Sequence, residues 1–274
     1  MFKKILIISG YVVMTSVIAA YFVFSTIIVK EKYSDMGVNR INITITDSAS
    51  NQFVNKEMIK SVLKLEGISE KESLLKHINQ YEIEKQLKRQ YNIKRAQVFT
   101  NLRGDLSIRV EQRRPLLRLQ GENGGFYLDD EAYIFPLDTI YTANVPVVTG
   151  KIPFNLIPDY KGYIKENKKW ADALMEIGEY IASDEFWNSM IEQIDIDDKE
   201  RIYLTARVGD QEIKFGSADN VDIKFRKLYA FYKDIVPNTG WNKYKSVDLD
   251  IDNQIVCKQR EPEIKIKDTT AIKY

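Results

Sequence analysis

One histidine and one cysteine limit the chemistry open to this chain. His77 and Cys257 are the only residues of their types among 274. A zinc site of the ordinary kind gathers three or four His or Cys ligands, so two are too few. Cys–His or Ser–His–Asp machinery would have to be built on His77 alone. Its neighbours Leu74, Leu75 and Ile78 suggest a packed or surface histidine instead. A lone thiol forms no internal disulfide, so packing must supply the stability; Cys257 reads as a small apolar residue. Gly124-Gly125 lacks the Gly-Lys-Ser/Thr helix start of a phosphate loop. The 39 Asp and Glu residues leave paired-carboxylate glycoside chemistry open, but no spacing singles out a pair. Asp248, Asp250 and Asp252 alternate onto one face of a strand pattern. Hard cations take their ligands from a looping chain, so this reads as a solvated face that deters wrong strand pairing. No catalytic, cofactor-binding or metal-binding residue is assigned, and no cofactor is expected.

Charge and hydropathy say more about placement. Forty Lys and Arg against 39 acids give a net +1, which argues against coating nucleic acid by bulk charge. Ile5 to Val29 is free of charged side chains over 25 positions. As a helix it would span roughly 37 Å, enough to cross a ~30 Å hydrocarbon core. A cleaved signal peptide is the competing reading, with Val17-Ile18-Ala19 as a weak processing site. The apolar run continues through Tyr21, Phe22, Val23 and Phe24, beyond the usual ~7–15 residues of a signal core. An uncleaved anchor over 5–29 is therefore expected, after a tail of residues 1–4 and before a linker over 30–37. Two lysines flank each side of the run. The amino terminus tips the balance toward a cytoplasmic N-terminus, with the main body across the membrane.

Two modules follow. Ile41, Ile43 and Ile45 alternate with Asn42 and Thr44 as a half-buried strand. Asn55 is placed to cap a helix presenting Met58, Ile59, Val62 and Leu63. Asn79 and Glu82 have capping-box spacing for a second helix. Strands are expected over 93–100 and 105–112, joined by a turn at 101–104, giving β-α-α-β-β over residues 38–114. Residues 115–260 read as a larger, mixed, strand-rich domain with two long helices, the second presenting Val221, Phe225, Leu228, Tyr232 and Ile235. Its last hairpin is expected over 247–251 and 254–258, around Asp252-Asn253. Residues 261–274 read as a loose tail. The fold class expected is α+β behind a single transmembrane helix.

Several strings then carry a resemblance. Glu111-Gln112-Arg113-Arg114-Pro115, Phe126-Tyr127-Leu128-Asp129, Val145-Pro146-Val147-Val148-Thr149-Gly150, Lys224-Phe225 with Lys227-Leu228, and Val247-Asp248-Leu249 occur in this order. Together with the order of anchor and modules, they resemble the FtsQ/DivIB family of bacterial cell-division proteins, and the first module resembles a POTRA domain. The cytoplasmic tail is very short for that family.

The resemblance implies a non-enzymatic scaffold of the divisome. It implies a place in the inner membrane, a body in the periplasm and enrichment at the septum. Its implied partners are FtsB/FtsL-type membrane proteins, through which septal peptidoglycan synthesis is regulated. The implied contact lies on the last strand, Gln254, Ile255, Val256, Cys257 and Lys258, with Phe225 and Tyr229 on the late helix. A terminal strand at a sheet edge can accept a partner segment as a further strand, and proline at Ile255 or Val256 is the test the sequence suggests.

A second site is expected from charge. Residues 85–118 hold ten basic and two acidic side chains. Lys88, Arg89, Lys94, Arg95, Arg109 and Arg113 are candidates for a patch facing anionic lipid or an acidic partner. Two other functional classes stay open at this level. One is a membrane-anchored enzyme acting on peptidoglycan; the other is a POTRA-bearing secretion or assembly factor, although no barrel pattern follows the module.

Overall fold

The uncharged N-terminal run forms helix α1 (Phe2–Ser34). Its 33 residues would extend ~50 Å at helical rise. Ser9–Ile28 has a mean hydropathy of 2.0 and nothing in it is buried by the rest of the chain. A surface of that kind needs lipid to cover it. Hydroxyls within the span are satisfied locally: Thr15 Oγ1 and Ser16 Oγ donate to Val12 O, and Thr26 Oγ1 to Phe22 O, at 3.0, 2.8 and 2.7 Å. The helix runs on through Lys30–Ser34, where a linker was expected. That stretch holds neither Pro nor Gly to end it.

A computed structural model describes residues 2–34, 36–47, 52–101, 103–121 and 124–261. The side chains of residues 2–8 and 29–34 lie outside that description. The expected tail over 261–274 falls almost wholly outside it, as do parts of the loops at 47–51, 101–104 and 121–125. The chain divides into two compact units, residues 1–113 and 114–274.

Beyond α1, the first unit runs β1 (Ile41–Ile45), α2 (Lys56–Leu65), a 3-10 turn (Leu75–His77), α3 (Gln80–Lys88), β2 (Ile93–Thr100) and β3 (Leu106–Gln112). Both helix starts use asparagine. Asn55 Oδ1 accepts from Met58 N at 2.8 Å, and Asn79 Oδ1 from Glu82 N at 3.2 Å. The apolar faces of α2 and α3 bury Ile59, Val62, Leu63, Ile83 and Leu87. The sheet order is β1-β3-β2, with β1 parallel and β2 antiparallel to β3. A parallel pair needs a crossover, and the helical segment between β1 and β2 provides room for it. His77 is exposed.

The second unit is built on one ten-stranded sheet. Its elements are β4 (Pro115–Gly121), β5 (Gly124–Asp129), β6 (Tyr133–Pro136), β7 (Val147–Gly150), β8 (Gly162–Tyr163), α4 (Lys168–Ser183), α5 (Glu185–Met190), β9 (Ile191–Ile196), β10 (Ile202–Ala206) and β11 (Glu212–Gly216). Then come α6 (Val221–Ala230), a π turn (Phe231–Ile235), α7 (Val236–Thr239), β12 (Tyr244–Asp248) and β13 (Val256–Gln259). The order across the sheet is β13-β12-β11-β10-β9-β7-β4-β5-β6-β8. Pro115 opens β4 beside a register shift, a place where a missing N–H is tolerated. The core joins Leu117, Leu119, Val148, Ile194, Leu204 and Ile213 from strands to Leu174, Ile177, Phe225 and Leu228 from helices. Gly178 lets α4 approach β4 closely: a Cβ there would sit 3.1 Å from Leu116 Cβ and Leu117 Cγ.

Gly150 ends β7 with φ +83°, and an added Cβ would collide with the Ile196 carbonyl of neighbouring β9. Both the backbone angle and the close approach require glycine. Gly150→Ala is expected to lower the unfolding free energy by at least about 1–3 kcal/mol, read from the urea midpoint; an unchanged midpoint would contradict the β7–β9 geometry.

Candidate functional site

Strand β13 is the outermost strand of the second unit's sheet: β12 flanks it on one side, and among the described residues no strand flanks the other. It pairs antiparallel with β12 through Val247–Cys257 and Asp248–Val256. Two backbone bonds fix which way its amides point. Leu249 N donates to Lys214 O on the β11 side, and Arg260 N donates to Lys243 O on the β12 side. Alternation along each strand then turns the amides of Val256 and Lys258 inward to β12. Those of Cys257 and Gln259 point outward.

The side chains divide as well. Ile255 and Cys257 pack against the core, while Gln254, Val256, Lys258 and Gln259 are exposed, Val256 at 43%. Burial pushes the Cys257 thiol pKa up. Gln254 and Ile255 lie just before the strand, not within it. The preceding strand also ends earlier than its alternating pattern suggested, at Asp248 instead of Ile251.

Two lysines of α6 explain that early end. Lys227 Nζ donates to Leu249 O at 3.0 Å and to Ile251 O at 2.6 Å. Carbonyls that would continue a strand ladder are thus bound by a helix side chain. Lys224 Nζ is buried and donates to Ser217 O, Ser217 Oγ and Asp250 Oδ1 at 2.8, 3.2 and 2.9 Å. Those three acceptors use all three of its N–H groups. Phe215 lies beneath it, 5.2 Å from ring centre to nitrogen. Gly216 makes room, since a Cβ there would strike the Asp250 side chain. Helix α6 therefore holds the turn that delivers β13. The sequence shows the lysines but not this role. The available signal was a pair of lysines three residues apart, flanking the buried face of an otherwise apolar helix stripe. Asp250 is committed to Lys224, and Asp248 Oδ1 accepts from Asp250 N at 3.1 Å, so the acidic triplet does not converge on a cation.

The other expected residues separate. Tyr229 is exposed at 43% and stands edge-on to Phe186 at 5.6 Å, beneath Lys233. Phe225 is fully buried, stacked on Tyr180 at 4.5 Å. It supports the helix from within and does not offer a contact. Its apolar-face spacing is compatible with that position, although the resemblance implied a contact.

The basic stretch is divided rather than joined into one patch. Lys88 and Arg89 stand exposed on α3, with Lys88 3.9 Å from Glu84. Arg95 and Arg109 project from the opposite, solvent-facing side of the sheet, and Arg95 is 3.7 Å from Glu111. Lys94 is half-buried at a register shift. Arg113 is buried, with Nε donating to Tyr91 O at 3.0 Å, so it serves the unit's interior and not its surface.

Comparison with protein families agrees with this architecture. Residues 114–258, more than half of the chain, match the FtsQ/DivIB C-terminal related family, and residues 38–111 match the POTRA-like domain. The chain belongs to the FtsQ/DivIB family. No curated protein matches it well enough to add a relative. As an FtsQ/DivIB-family protein with an apolar N-terminal helix, it is a membrane-anchored, divisome-associated cell-division protein. Domains of this family are typically scaffolds and not catalysts.

Two outcomes are expected from this geometry in the FtsQ/DivIB-family chain. Phe225→Ala should cost about 3–5 kcal/mol of stability, whereas Tyr229→Ala should cost under about 1 kcal/mol, both by urea denaturation. Equal costs would mean that the two rings are not partitioned between core and surface. The second outcome concerns pH. The hydrogen bond from Lys224, with help from the Ser217 amide, holds the Asp250 carboxyl below its ordinary 3.8. A depressed folded value means the contribution is present above the ordinary value and is lost as pH falls through the folded one. Asp250→Asn should therefore destabilise most at about pH 7, and the difference from the parent should shrink below about pH 4. A difference that stays constant with pH would count against this pairing.

Proposed function

We propose that this protein is a divisome scaffold that captures a segment of a membrane partner by adding it as a further strand along the outer side of β13. The observation that supports this most directly is the pair of outward amides at Cys257 and Gln259 on a strand with no outer neighbour among the described residues. Strand addition supplies such amides with carbonyl acceptors, and side chains flanking the new ladder give selectivity. Val256, Lys258 and Gln259 are exposed beside that edge, and the exposed Tyr229 offers a ring on the late helix.

The lysine clamp favours binding without a large ordering cost. A turn already fixed by Lys224 and Lys227 presents β13 in a defined orientation before a partner arrives. The anchor adds a second gain. Confining both partners to one membrane raises their effective concentration without any new contact. In this reading the N-terminus is cytoplasmic, the body lies in the periplasm, and the partners are co-anchored proteins of the FtsB/FtsL kind. Capture at the septum would bring regulation to peptidoglycan synthesis through them. Such a role needs no reacting group, and neither the exposed His77 nor the partly buried Cys257 is asked to supply one.

The amide directions change the proline test. Val256 points its N–H at β12, so proline there would break the hairpin itself. Gln259 points outward and is exposed. Gln259→Pro removes an edge donor and sets a ring in the path of the incoming strand. Capture of co-reconstituted FtsB- and FtsL-type partners should weaken about tenfold or more, with the circular dichroism spectrum and melting temperature unchanged. Wild-type capture by a folded Gln259→Pro protein would overturn the proposal, as would release of fragments when the protein is incubated with peptidoglycan.

A further inference from the structure

The first unit also has a proline-free, β-prone strand edge, yet it is treated differently from β13. Ala96-Gln97-Val98-Phe99-Thr100 in β2 is uncharged and proline-free, with Phe99 45% exposed. Strand β2 is an end strand of its sheet. A β-prone edge of that kind invites pairing with another chain. Asn101 N donates to Asp105 O across the β2–β3 turn, so alternation turns the Val98 amide away from β3 and out to the edge. That amide is occupied: Val98 N donates to Glu84 Oε1 at 2.8 Å. Glu84 comes from α3, and the same helix reaches the strand again through Gln80 Nε2, which donates to Thr100 Oγ1 at 3.0 Å.

The opposite edge repeats the device. Leu106 N donates to Arg40 O and Thr46 N to Val110 O, so positions 40 and 46 face β3 and Ile41 faces outward. Ile41 N donates to Glu70 Oε1 at 2.9 Å. Just before it, the chain covers its own edge: Val38 N donates to Ser73 O, Lys71 N to Val38 O and Leu75 N to Met36 O, at 2.8, 2.7 and 2.9 Å.

We infer that Glu84 and Glu70 are specificity-determining guards, each occupying one outward amide, that obstruct strand addition at the two edges of the POTRA-like sheet. A carboxylate on an edge amide forms a charge-assisted bond stronger than the neutral carbonyl bond an incoming strand offers. The incoming carbonyl would also face carboxylate oxygens, and covering the carboxylate would remove it from water without a replacement donor. Lys88, 3.9 Å from the other Glu84 oxygen, helps hold the side chain over the edge. The guard is a property of the first unit alone. Its consequence, that strand-forming partners are left only β13, rests on the reading of β13 given above.

The test uses the full chain in lipid nanodiscs or detergent, in the Gln259→Pro background, so that β13 takes no part. Two readouts are followed: amide exchange at Val98 and self-association by sedimentation. Glu84→Ala should speed Val98 exchange about tenfold or more and produce concentration-dependent self-association that the parent lacks. Glu84→Gln keeps an oxygen acceptor on the amide but loses the charge, so its exchange and association should fall between those of the parent and of Glu84→Ala. If Glu84→Ala does not fold, Glu84→Lys supplies the same comparison, since lysine cannot accept the bond. A folded Glu84→Ala protein that stays monomeric, or one that associates while Val98 exchanges as in the parent, would overturn the inference. No partner protein enters this experiment, so its failure leaves strand addition at β13 standing, and failure at β13 leaves the guard standing.

Discussion

A β-sheet cannot satisfy the backbone groups along its two ends, and the function proposed for this molecule is organised around that constraint. Each end strand carries a column of N–H and C=O groups that must find water, a side chain or another polypeptide. Four such ends exist in the two sheets described here, and they are managed differently. The ten-stranded sheet ends at β8 in a strand of only two residues, too short to template much pairing. At each end of the three-stranded sheet one outward amide is taken by a carboxylate, Ile41 by Glu70 and Val98 by Glu84. At the remaining end, β13 holds two outward amides, and the turn that leads into it is fixed by Lys224 and Lys227.

The anchor gives that arrangement its setting. A 33-residue helix whose apolar span is uncovered by the rest of the chain confines the two units to the bilayer surface. An open strand edge on a freely diffusing protein would be an aggregation hazard. On a tethered protein it meets mainly other tethered segments, at raised effective concentration. Two properties that look like liabilities when taken separately, an exposed apolar helix and an unfinished sheet, are consistent with one role in assembly.

Much of the local structure was legible from residue patterns, because those patterns report local physics. The alternation of Ile41, Ile43 and Ile45 gave a strand, and Asn55 and Asn79 marked helix starts that the structure caps with their side chains. What was not legible depends on contacts between distant segments. Val247 to Ile251 alternates as a strand would, yet β12 stops at Asp248, because Lys227 binds the carbonyls of Leu249 and Ile251. Nothing local to those five residues encodes a lysine more than twenty positions earlier. The basic stretch looked like a patch because charge was summed along the chain. Folding distributes it over a helix, the opposite sheet face and, for Arg113, the interior. Phe225 shows the same limit: an aromatic residue on a helix suits a core or a contact, and only packing against Tyr180 and Phe215 decides it.

The central claim is that the outer side of β13 is unpaired until a partner completes it, and amide exchange along Val256–Gln259 measures that directly. In the full chain reconstituted alone in a bilayer, the amides of Val256 and Lys258 should be protected by β12, while those of Cys257 and Gln259 exchange freely. Reconstitution with the partner should slow Cys257 and Gln259 and leave the other two as they were. Protection of all four amides in the chain by itself, or no change on adding a bound partner, would contradict the account.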